Sequence, residues 1–391
     1  MQRMENVSAA AKRLQCYRAA ATYLATHPEW ATRLATLERH LPGGNARRVD
    51  LAAKGELRLS GEADFVIEGA ALARCGNAIV LDNCRRFRLR NLASSDLAGC
   101  AIVLFDCEDF EISDITCRRA YSSSITLVGD TRYGRITRVR TTESLGPRNR
   151  DAGLNFVNCS PAVTLADVPD QCHEPLSIMQ KSKRPAFMEL DDVHSTRNRA
   201  QGIYLEGAFG ISMKRIRLAR NAKEGICFDW GTAFSTLSRS VIKWNGWRHA
   251  ISPEEVQADF LHNIPILPDG SSAVKVPGVS FDNAAFNRIV GCYISRNGGG
   301  AVKHIRASVG TLTALNLCVF NTGGNNAFAR TSWYGDLGLD DVLGEFDHEA
   351  PPLSLGPSYH LKRRYNLPVE PSLLRSERAE RLLYRLMPGR S

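Results

Sequence analysis

The sequence of 391 residues predicts an all-β protein built as a parallel β-helix, in which short strands wind into stacked coils. Three observations support this prediction. Asparagines end strand-like runs at a regular interval, and glycines open the following runs in step with them. The runs between residues 64 and 330 are short, aliphatic and β-branched, and turn residues separate them. A repeat of this length without room for a helix is typical of a β-solenoid.

The asparagine marker gives the length of one coil. Asn198, Asn221, Asn245, Asn297 and Asn321 follow one another at spacings of 23, 24, 52 and 24 residues. The repeat unit is therefore about 23 residues. We expect these asparagines to stack at one corner of the solenoid, where their side chains can satisfy each other's amide groups.

The glycine marker locates an insertion. Gly202, Gly225, Gly278 and Gly300 are spaced by 23, 53 and 22 residues, and the next asparagine follows each of them after 19, 20, 19 and 21 residues. Because these distances stay constant, the extra length must lie after Asn245 and before Gly278. We therefore expect residues 247–277 to be an inserted loop within one turn, of the kind that often walls a binding groove.

The two ends of the chain differ from the repeat. Residues 4–40 carry apolar side chains at helical spacing, and residues 370–387 predict a basic amphipathic helix. Because an open β-helix exposes sheet edges, we expect these segments to cap the rod or to mediate self-association. The predicted organisation is a helical cap over residues 1–45, a β-helix over 64–330 and a C-terminal tail over 331–391.

The asparagine turns, the runs GIYLEG and GICFDW and the 23-residue period resemble the right-handed parallel β-helices of the pectin-lyase superfamily. The resemblance covers about residues 64–330 and implies a right-handed helix. That superfamily contains polysaccharide lyases, glycoside hydrolases, uronate epimerases, esterases and non-enzymatic spikes. It therefore implies a polysaccharide or a sugar-containing small molecule as the partner, without choosing one reaction.

Composition excludes several other classes. The net charge of +9 is spread along the chain without a recognised nucleic-acid-binding module, so we expect no nucleic-acid partner. The eleven cysteines lack CxxC pairs and ligand spacing, which favours reduced thiols over disulfides or zinc. No apolar run reaches membrane-spanning length, and the first residues lack the apolar stretch of a signal peptide. We therefore expect a cytoplasmic protein with no transmembrane segment.

The alternation within the glycine-led runs assigns side chains to the two faces of a strand. Offsets one and three from each glycine are apolar and are expected to face the interior, as Ile203 and Leu205 do. Offsets two and four then face solvent, which places Glu206, Asp229 and Asp282 in one column on consecutive coils. On the next coil the fourth position after Gly300 is His304. A shift of one residue across the three glycines at 298–300 would turn Lys303 outward instead, so both residues are candidates.

Three carboxylates in register suggest acid–base chemistry. Neighbouring coils bring two carboxyl groups to roughly 5 Å, as in retaining glycosidases, and alternate coils bring them to roughly 9 Å, as in inverting ones. We therefore expect a glycoside hydrolase-like enzyme without a cofactor. The candidate catalytic residues are Glu206, Asp229, Asp282, Lys303 and His304. The candidate substrate-binding residues are Asn155, Tyr204, Trp230, Trp247, Arg248 and His249.

Other interpretations remain open. Carboxylates around a Ca²⁺ ion would instead support a polysaccharide lyase or a uronate epimerase, with a basic side chain abstracting the proton. The chain could also be a non-catalytic β-helix that binds glycan or serves a structural role. A second feature is a line of arginines just before the corner asparagines, Arg197, Arg220 and Arg296. This line either holds an anionic polymer or is a row of solvated charges.

Overall fold

The protein is a parallel β-helix, as the sequence predicts. The computed structural model describes residues 26, 28–51, 56–145, 151–159, 183–246, 276–305, 311–314, 316–319, 321, 326–328 and 337–338. In this part of the chain the strands form two sheets, and each strand pairs in parallel with strands of the preceding and following coils.

The first sheet, the short-strand sheet, contributes one strand per coil, and its inward side chains fill the core. Its strands are β2 (Leu57–Ser60), β4 (Ile79–Asp82), β6 (Ile102–Phe105), β8 (Ile125–Val128), β10 (Leu154–Val157), β12 (Ile203–Glu206), β15 (Ile226–Asp229), β18 (Val279–Asp282), β21 (Val302–Ile305) and β24 (Asn326–Phe328).

The strands of the second sheet, the long sheet, become shorter along the rod. Its strands are β1 (Arg47–Arg48), β3 (Ala63–Ala73), β5 (Arg85–Leu97), β7 (Glu108–Ala120), β9 (Arg132–Thr142), β11 (Ala186–Thr196), β13 (Phe209–Lys214), β14 (Arg217–Ala219), β16 (Thr236–Ser238), β17 (Val241–Lys243), β19 (Arg288–Val290), β20 (Tyr293–Ser295), β22 (Leu312–Ala314), β23 (Leu317–Val319) and β25 (Leu337–Gly338). Early coils contribute one long strand, whereas β11 pairs with both β13 and β14. Strand pairing begins at Arg47, earlier than residue 64, where the sequence repeat first becomes visible.

The corner asparagines form the stacked ladder that the sequence predicts. The side-chain amide of Asn198 donates to Oδ1 of Asn221 at 2.9 Å, Asn221 donates to Asn245 at 2.9 Å, and Asn245 donates to Asn297 at 3.0 Å. Asn297 continues the ladder to Asn321 at 2.9 Å. Each buried amide is thereby satisfied by the next coil, so the ladder fixes the register of this corner.

Inward-facing aromatic rings stack along the axis of the rod. Phe87 lies between Phe65 and Phe110, with ring centroids 5.3 and 5.6 Å apart. Farther along, Phe228 stacks on Phe281 at 4.8 Å. All five rings are fully buried. Phe228 and Phe281 stand at the third position after Gly225 and Gly278, where the alternation predicts an interior side chain. Apolar burial of this kind is the main stabilising contribution in a solenoid, because a single coil cannot bury its own side chains.

The predicted insertion leaves the coil register intact. Strand β15 pairs residue for residue with β18, although residues 247–277 separate them in sequence. Residues 247–275 lie outside the described part of the chain. The coils before and after the insertion therefore stack directly on each other.

The helices α1 (Trp30–Ala35) and α2 (Leu37–His40) lie along the outer side of the long sheet rather than over its end. The Trp30 ring stacks on Phe187 at 5.3 Å, and Arg33 forms an ion pair with Asp109. These contacts reach coils in the middle of the rod, so the described part of the expected N-terminal cap is a lateral brace. Residues 1–25 and the predicted C-terminal helix lie outside the described residues. Neither described helix has the length and apolar character needed to cross a bilayer.

Candidate active site

The three predicted acids stand in one column on the outward side of the short-strand sheet. Glu206, Asp229 and Asp282 end strands β12, β15 and β18, and the pairing aligns Glu206 with Asp229 and Asp229 with Asp282. Adjacent strands lie roughly 4.8 Å apart. Glu206 and Asp282, which are 76 residues apart in the sequence, therefore lie only two coils apart. We call these three residues the acid column.

The acid column is buried, contrary to the expectation that its side chains face solvent. The exposed fractions are 0% for Glu206, 8% for Asp229 and 7% for Asp282. The side chains point away from the coil interior as predicted, but outward direction here does not mean exposure. Because burial disfavours a charged carboxylate and neighbouring negative charges add to the cost, this arrangement opposes full ionisation of all three.

Asp229, at the centre of the column, has both carboxylate oxygens hydrogen-bonded. The hydroxyl of Tyr204 donates to Oδ2 at 2.6 Å, and the backbone N–H of Trp230 donates to Oδ1 at 2.8 Å. Tyr204 lies on the neighbouring strand β12 and is itself buried. The orientation of the Asp229 carboxyl group is therefore fixed from two sides.

The pKa of Asp229 is raised to about 7. Burial is the largest cause, and the negative charges of Asp282 and Glu206 raise the pKa further. The hydrogen bonds from Tyr204 and from the backbone of Trp230 act in the opposite direction, because they favour the charged form. At neutral pH this carboxyl group is therefore poised between its protonated and ionised forms.

Asp282 and its surroundings complete one end of the column. The side-chain amide of Asn283 donates to Oδ1 of Asp282 at 3.1 Å. Lys303 lies on the following strand, paired with Ser280, and its side chain is exposed. Since diagonal neighbours on adjacent strands remain within reach of long side chains, Lys303 can approach a ligand at Asp282.

His304 does not belong to the outward column. It pairs with Phe281 rather than with Asp282, its ring lies 5.0 Å from the Phe281 ring, and 1% of it is exposed. The one-residue shift considered from the sequence is the arrangement found, because Ala301, not Gly300, takes the place corresponding to Gly278. His304 therefore extends the interior aromatic stack, and its expected outward position is wrong.

A second outward row runs beside the acid column. Asn155, Tyr204, Cys227 and Ser280 align on consecutive strands, and all four are buried. The pKa of the Cys227 thiol is raised well above its usual value by burial and by the nearby carboxylates, above all Asp229, which disfavours the reactive thiolate form. In the described part of the chain, Oδ1 of Asn155 has no hydrogen-bond partner.

Sequence reasoning missed two polar residues at the edges of this surface. Glu224 lies in the turn before β15 and is one of the charges that act on Cys227. Asn158 follows β10, is fully buried, and neither polar atom of its amide has a hydrogen-bond partner within the described residues. Both residues stand in turns, where side-chain alternation gives no signal. A buried unpaired amide at this edge marks a place where a ligand or water would be stabilised.

The structure describes three of the six predicted substrate-binding residues. Tyr204 and Asn155 line the outward row, and Trp230 follows Asp229 directly and is half-buried. The remaining three, Trp247, Arg248 and His249, lie outside the described residues. Within the described ranges no group of three or more His, Cys, Asp or Glu side chains is arranged to hold a metal ion.

Comparison with known proteins finds similarity only among solved structures. No protein-family model and no curated protein matches the sequence. Among solved structures, the A-module of the Azotobacter vinelandii mannuronan C-5 epimerase AlgE4 is 12% identical, with a TM-score of 0.41 over 74% of this chain and 87% of that chain. Pectate lyase Pel9A is 9% identical, with a TM-score of 0.37 over 78% and 74% of the two chains. The catalytic domain of a GH87 α-1,3-glucanase in complex with nigerose is also 9% identical, with a TM-score of 0.35 over 74% and 63%.

The parallel β-helix architecture of this protein rests on its own strand pairing, in which successive coils add parallel strands to two sheets. The neighbours act on polysaccharides through different reactions, an epimerisation, a lyase reaction and a glucan cleavage by their names. The chemistry of this chain must therefore be argued from its own side chains.

Proposed function

We propose that this protein is a carbohydrate-active enzyme that cleaves a glycosidic bond by acid–base catalysis at the acid column. The observation that carries the proposal is Asp229, a buried and oriented carboxyl group whose pKa is raised to about 7. A group with this pKa can donate a proton to a leaving oxygen at neutral pH and take it back later. Its two neighbours in the column supply a second carboxylate.

The roles follow from the order of the column. Asp229 protonates the glycosidic oxygen as the bond to the anomeric carbon breaks. A carboxylate one coil away, on Glu206 or Asp282, lies near the separation of roughly 5 Å that retaining glycosidases use. It would attack the anomeric carbon, and Asp229 would then activate the water that releases the sugar. A pairing of Glu206 with Asp282, two coils apart, would instead leave room for a water and invert the anomeric centre.

Groups beside the column suit a neutral, hydroxyl-rich ligand. Tyr204 orients Asp229, the free oxygen of Asn155 can accept a hydrogen bond from a sugar hydroxyl, and Trp230 offers an aromatic face. The proposed partner is a polysaccharide or glycoconjugate, and no cofactor is invoked. A cytoplasmic location, the absence of a nucleic-acid partner and self-association through the terminal helices remain predictions.

A lyase or epimerase acting on uronates is the second candidate. The observation that favours it is Lys303, an exposed ammonium group beside the column that can pair with a substrate carboxylate. A Ca²⁺ ion would be needed if it followed the metal-dependent route. Loss of activity on chelation would select this candidate over the hydrolase.

The test uses the full-length protein with a panel of neutral and acidic polysaccharides. Hydrolysis is followed by new reducing ends, elimination by the ultraviolet absorbance of an unsaturated product, and epimerisation by proton NMR. Asp229→Asn should lower hydrolysis at least about a thousandfold, since it removes the transferable proton. The matched control is Asp82→Asn, because Asp82 ends β4 in the same outward column, five coils away.

Unchanged hydrolysis in Asp229→Asn would overturn the assignment of this residue. The folded protein should also be assayed on the glycan that it binds most tightly. Binding of that glycan without formation of any product would favour the non-catalytic interpretation. An unsaturated or epimerised product in place of reducing ends would replace hydrolysis by the second candidate.

A further inference from the structure

We propose that Arg184 is a positioning residue for the acid column, because its buried guanidinium group fixes the turn that follows Asp229 and so aims the Asp229 carboxyl group. Arg184 stands just before strand β11 and is 4% exposed, which makes it the most buried arginine among the described residues. The importance of this role for cleavage rests on the proposed function. The positioning itself can be measured without a substrate.

The backbone around Arg184 is anchored to neighbouring turns. Its own N–H donates to Oδ1 of Asp130 at 3.2 Å, in the turn after strand β8. The preceding residue, Lys183, exchanges two backbone hydrogen bonds with Cys159, at 3.0 and 3.2 Å. The side chain of Arg184 therefore starts from a fixed point.

The guanidinium group of Arg184 spans two coils. Its Nη1 nitrogen donates to the carbonyl of Gly207 at 3.2 Å and to the carbonyl of Gly231 at 3.3 Å. Gly207 directly follows Glu206, and Gly231 is the second residue after Asp229. A buried cation is costly unless its N–H groups are hydrogen-bonded, so these bonds hold the side chain in place. One charged group thus ties together the turns after two acid-bearing strands.

The turn after Asp229 is longer than the corresponding turns of the coils on either side. Three residues lie between Asp229 and Ala233, whereas two lie between their partners on the preceding coil, Glu206 and Phe209. The turn of the following coil has two residues as well. An extra residue bends the chain locally and redirects the side chains beside it.

Two successive left-handed residues form this turn. Trp230 and Gly231 have φ of +43° and +88°, and the N–H of Thr232 donates to the carbonyl of Asp229 at 3.1 Å. This is the pattern of a type I′ turn. Nowhere else in the described ranges do two successive residues both have positive φ. A left-handed tryptophan is strained, and such a conformation persists where the surrounding structure fixes it.

The same turn aims the Asp229 carboxyl group. The N–H of Trp230 donates to Oδ1 of Asp229 at 2.8 Å, so the direction of this N–H depends on the left-handed backbone. The peptide unit between Gly231 and Thr232 is bound at both ends, because its carbonyl accepts from Arg184 and its N–H closes the turn on Asp229. Loss of the guanidinium group should therefore loosen the turn and weaken the bond from the Trp230 N–H.

The protonation of Asp229 reports on that bond. A hydrogen bond from the Trp230 N–H favours the carboxylate, so its weakening should raise the pKa of Asp229 above about 7. Loss of a buried positive charge acts in the same direction. The other ionisable groups of the described chain that interact with Asp229 are Glu206, Asp282, Tyr204 and Cys227. A substitution of Arg184 leaves all four in place.

Titration of the full-length protein, labelled with carbon-13 at aspartate, tests the proposal. Arg184→Gln should raise the pKa of Asp229 by about 0.5 to 1 pH unit. Arg184→Lys should stay within about 0.2 pH units of the wild type, because a single nitrogen makes both carbonyl bonds and an ammonium group can replace it. The matched control is Lys183→Gln, which removes the adjacent charge from its pair with Asp106 and should shift the titration by less than about 0.2 pH units.

A second measurement follows the hydrogen bond itself. In protein labelled with nitrogen-15 at its five tryptophans, the amide proton of Trp230 should move downfield as Asp229 ionises, because its acceptor becomes charged. This pH dependence should fall by about half or more in Arg184→Gln and persist in Arg184→Lys. Circular dichroism checks that the variants are folded.

A second pair of variants serves if Arg184→Gln does not fold. Thr232→Val removes a hydroxyl that donates to the carbonyl of Asp229 at 2.8 Å, so it loosens the same turn without changing any charge. It should raise the pKa of Asp229 as well. The matched control is Thr131→Val, because the Thr131 hydroxyl makes the same kind of bond, at 2.7 Å, to the carbonyl of Val128 in the turn after β8.

Several results would overturn the positioning role. These are an unchanged Asp229 titration in folded Arg184→Gln, a shift to lower pH, and an equal shift in Lys183→Gln. Failure of Arg184→Lys to restore the wild-type titration would also contradict it.

Hydrolysis assays on the same variants separate this inference from the proposed function. A shifted titration in Arg184→Gln, in a protein that cleaves no glycan, would support the positioning and reject the function. Loss of hydrolysis in Asp229→Asn, together with an unchanged titration in Arg184→Gln, would support the function and reject the positioning.

Discussion

The Tyr204 hydroxyl donates a 2.6 Å hydrogen bond to Oδ2 of Asp229 on the next coil. This bond joins the two outward rows of the short-strand sheet, since Tyr204 belongs to one row and Asp229 to the other. It also opposes burial and the neighbouring carboxylates, which both push the Asp229 carboxyl group towards its neutral form. The protonation of Asp229 is therefore set by a balance that single substitutions can shift.

Replacing Tyr204 by phenylalanine should raise the pKa of Asp229 above about 7, because the hydrogen bond that favours the carboxylate is lost. If Asp229 is the general acid, the alkaline limb of the pH–rate profile should move to higher pH. The control is Tyr121→Phe, which changes an exposed tyrosine and should move nothing. A Tyr204→Phe profile that coincides with the wild type would show that this bond does not control the reacting proton.

Replacing Asp229 by asparagine should stabilise the fold at alkaline pH. The folded state holds the Asp229 proton up to about pH 7, whereas the unfolded chain releases it near the ordinary value of 3.8. The free energy of unfolding of the wild type therefore falls as pH rises between these two values. A difference of about three pKa units corresponds to a few kcal/mol. Denaturant unfolding should show the variant more stable than the wild type at pH 8 and nearly equal to it below pH 4. A constant difference at all pH values would contradict the raised pKa.

Replacing Asn245 by alanine should break the asparagine ladder in both directions. Asn245 accepts two hydrogen bonds from Asn221 and donates to Asn297 and to the carbonyl of Leu218. Buried partners left unpaired should cost about 2–4 kcal/mol of the free energy of unfolding. Asn91→Ala, at an exposed position, should cost about 1 kcal/mol or less. Similar losses in both variants would mean that the ladder is not a special source of stability.

Alanine substitutions of the neighbouring residues Lys303 and His304 should differ in their effect on the free energy of unfolding. His304→Ala opens a cavity beside Phe281 and should lower the free energy of unfolding by about 2–4 kcal/mol. Lys303→Ala removes an exposed side chain and should change it by less than about 0.5 kcal/mol. A tolerated His304→Ala together with a destabilising Lys303→Ala would reverse the register found here.

The repeat made the fold and the acid column predictable from the sequence. The 23-residue period and the alternation within each strand are enough to align Glu206 with Asp229 and Asp229 with Asp282, even across the insertion. The position of His304 was harder to predict, because the glycines at 298–300 precede it and carry no side chains from which the register can be read.

Burial of the acid column was not predictable in the same way. Alternation tells which side of a strand a residue occupies, but exposure depends on what packs over that side in three dimensions. The edge residues Asn158 and Glu224 escaped notice for a related reason, because turn positions follow no fixed alternation. The lateral position of helix α1 depends on Trp30 meeting Phe187, a contact between residues 157 positions apart.

The most direct test of the account is the titration of the column carboxyl groups by carbon-13 NMR of protein labelled at aspartate. We predict one aspartate carboxyl resonance that titrates near pH 7, that is lost in Asp229→Asn, and that moves to lower pH in Asp282→Asn as a neighbouring negative charge is removed. Aspartate resonances that all titrate below about pH 5 would contradict it, because Asp229 would then be an ordinary solvated acid.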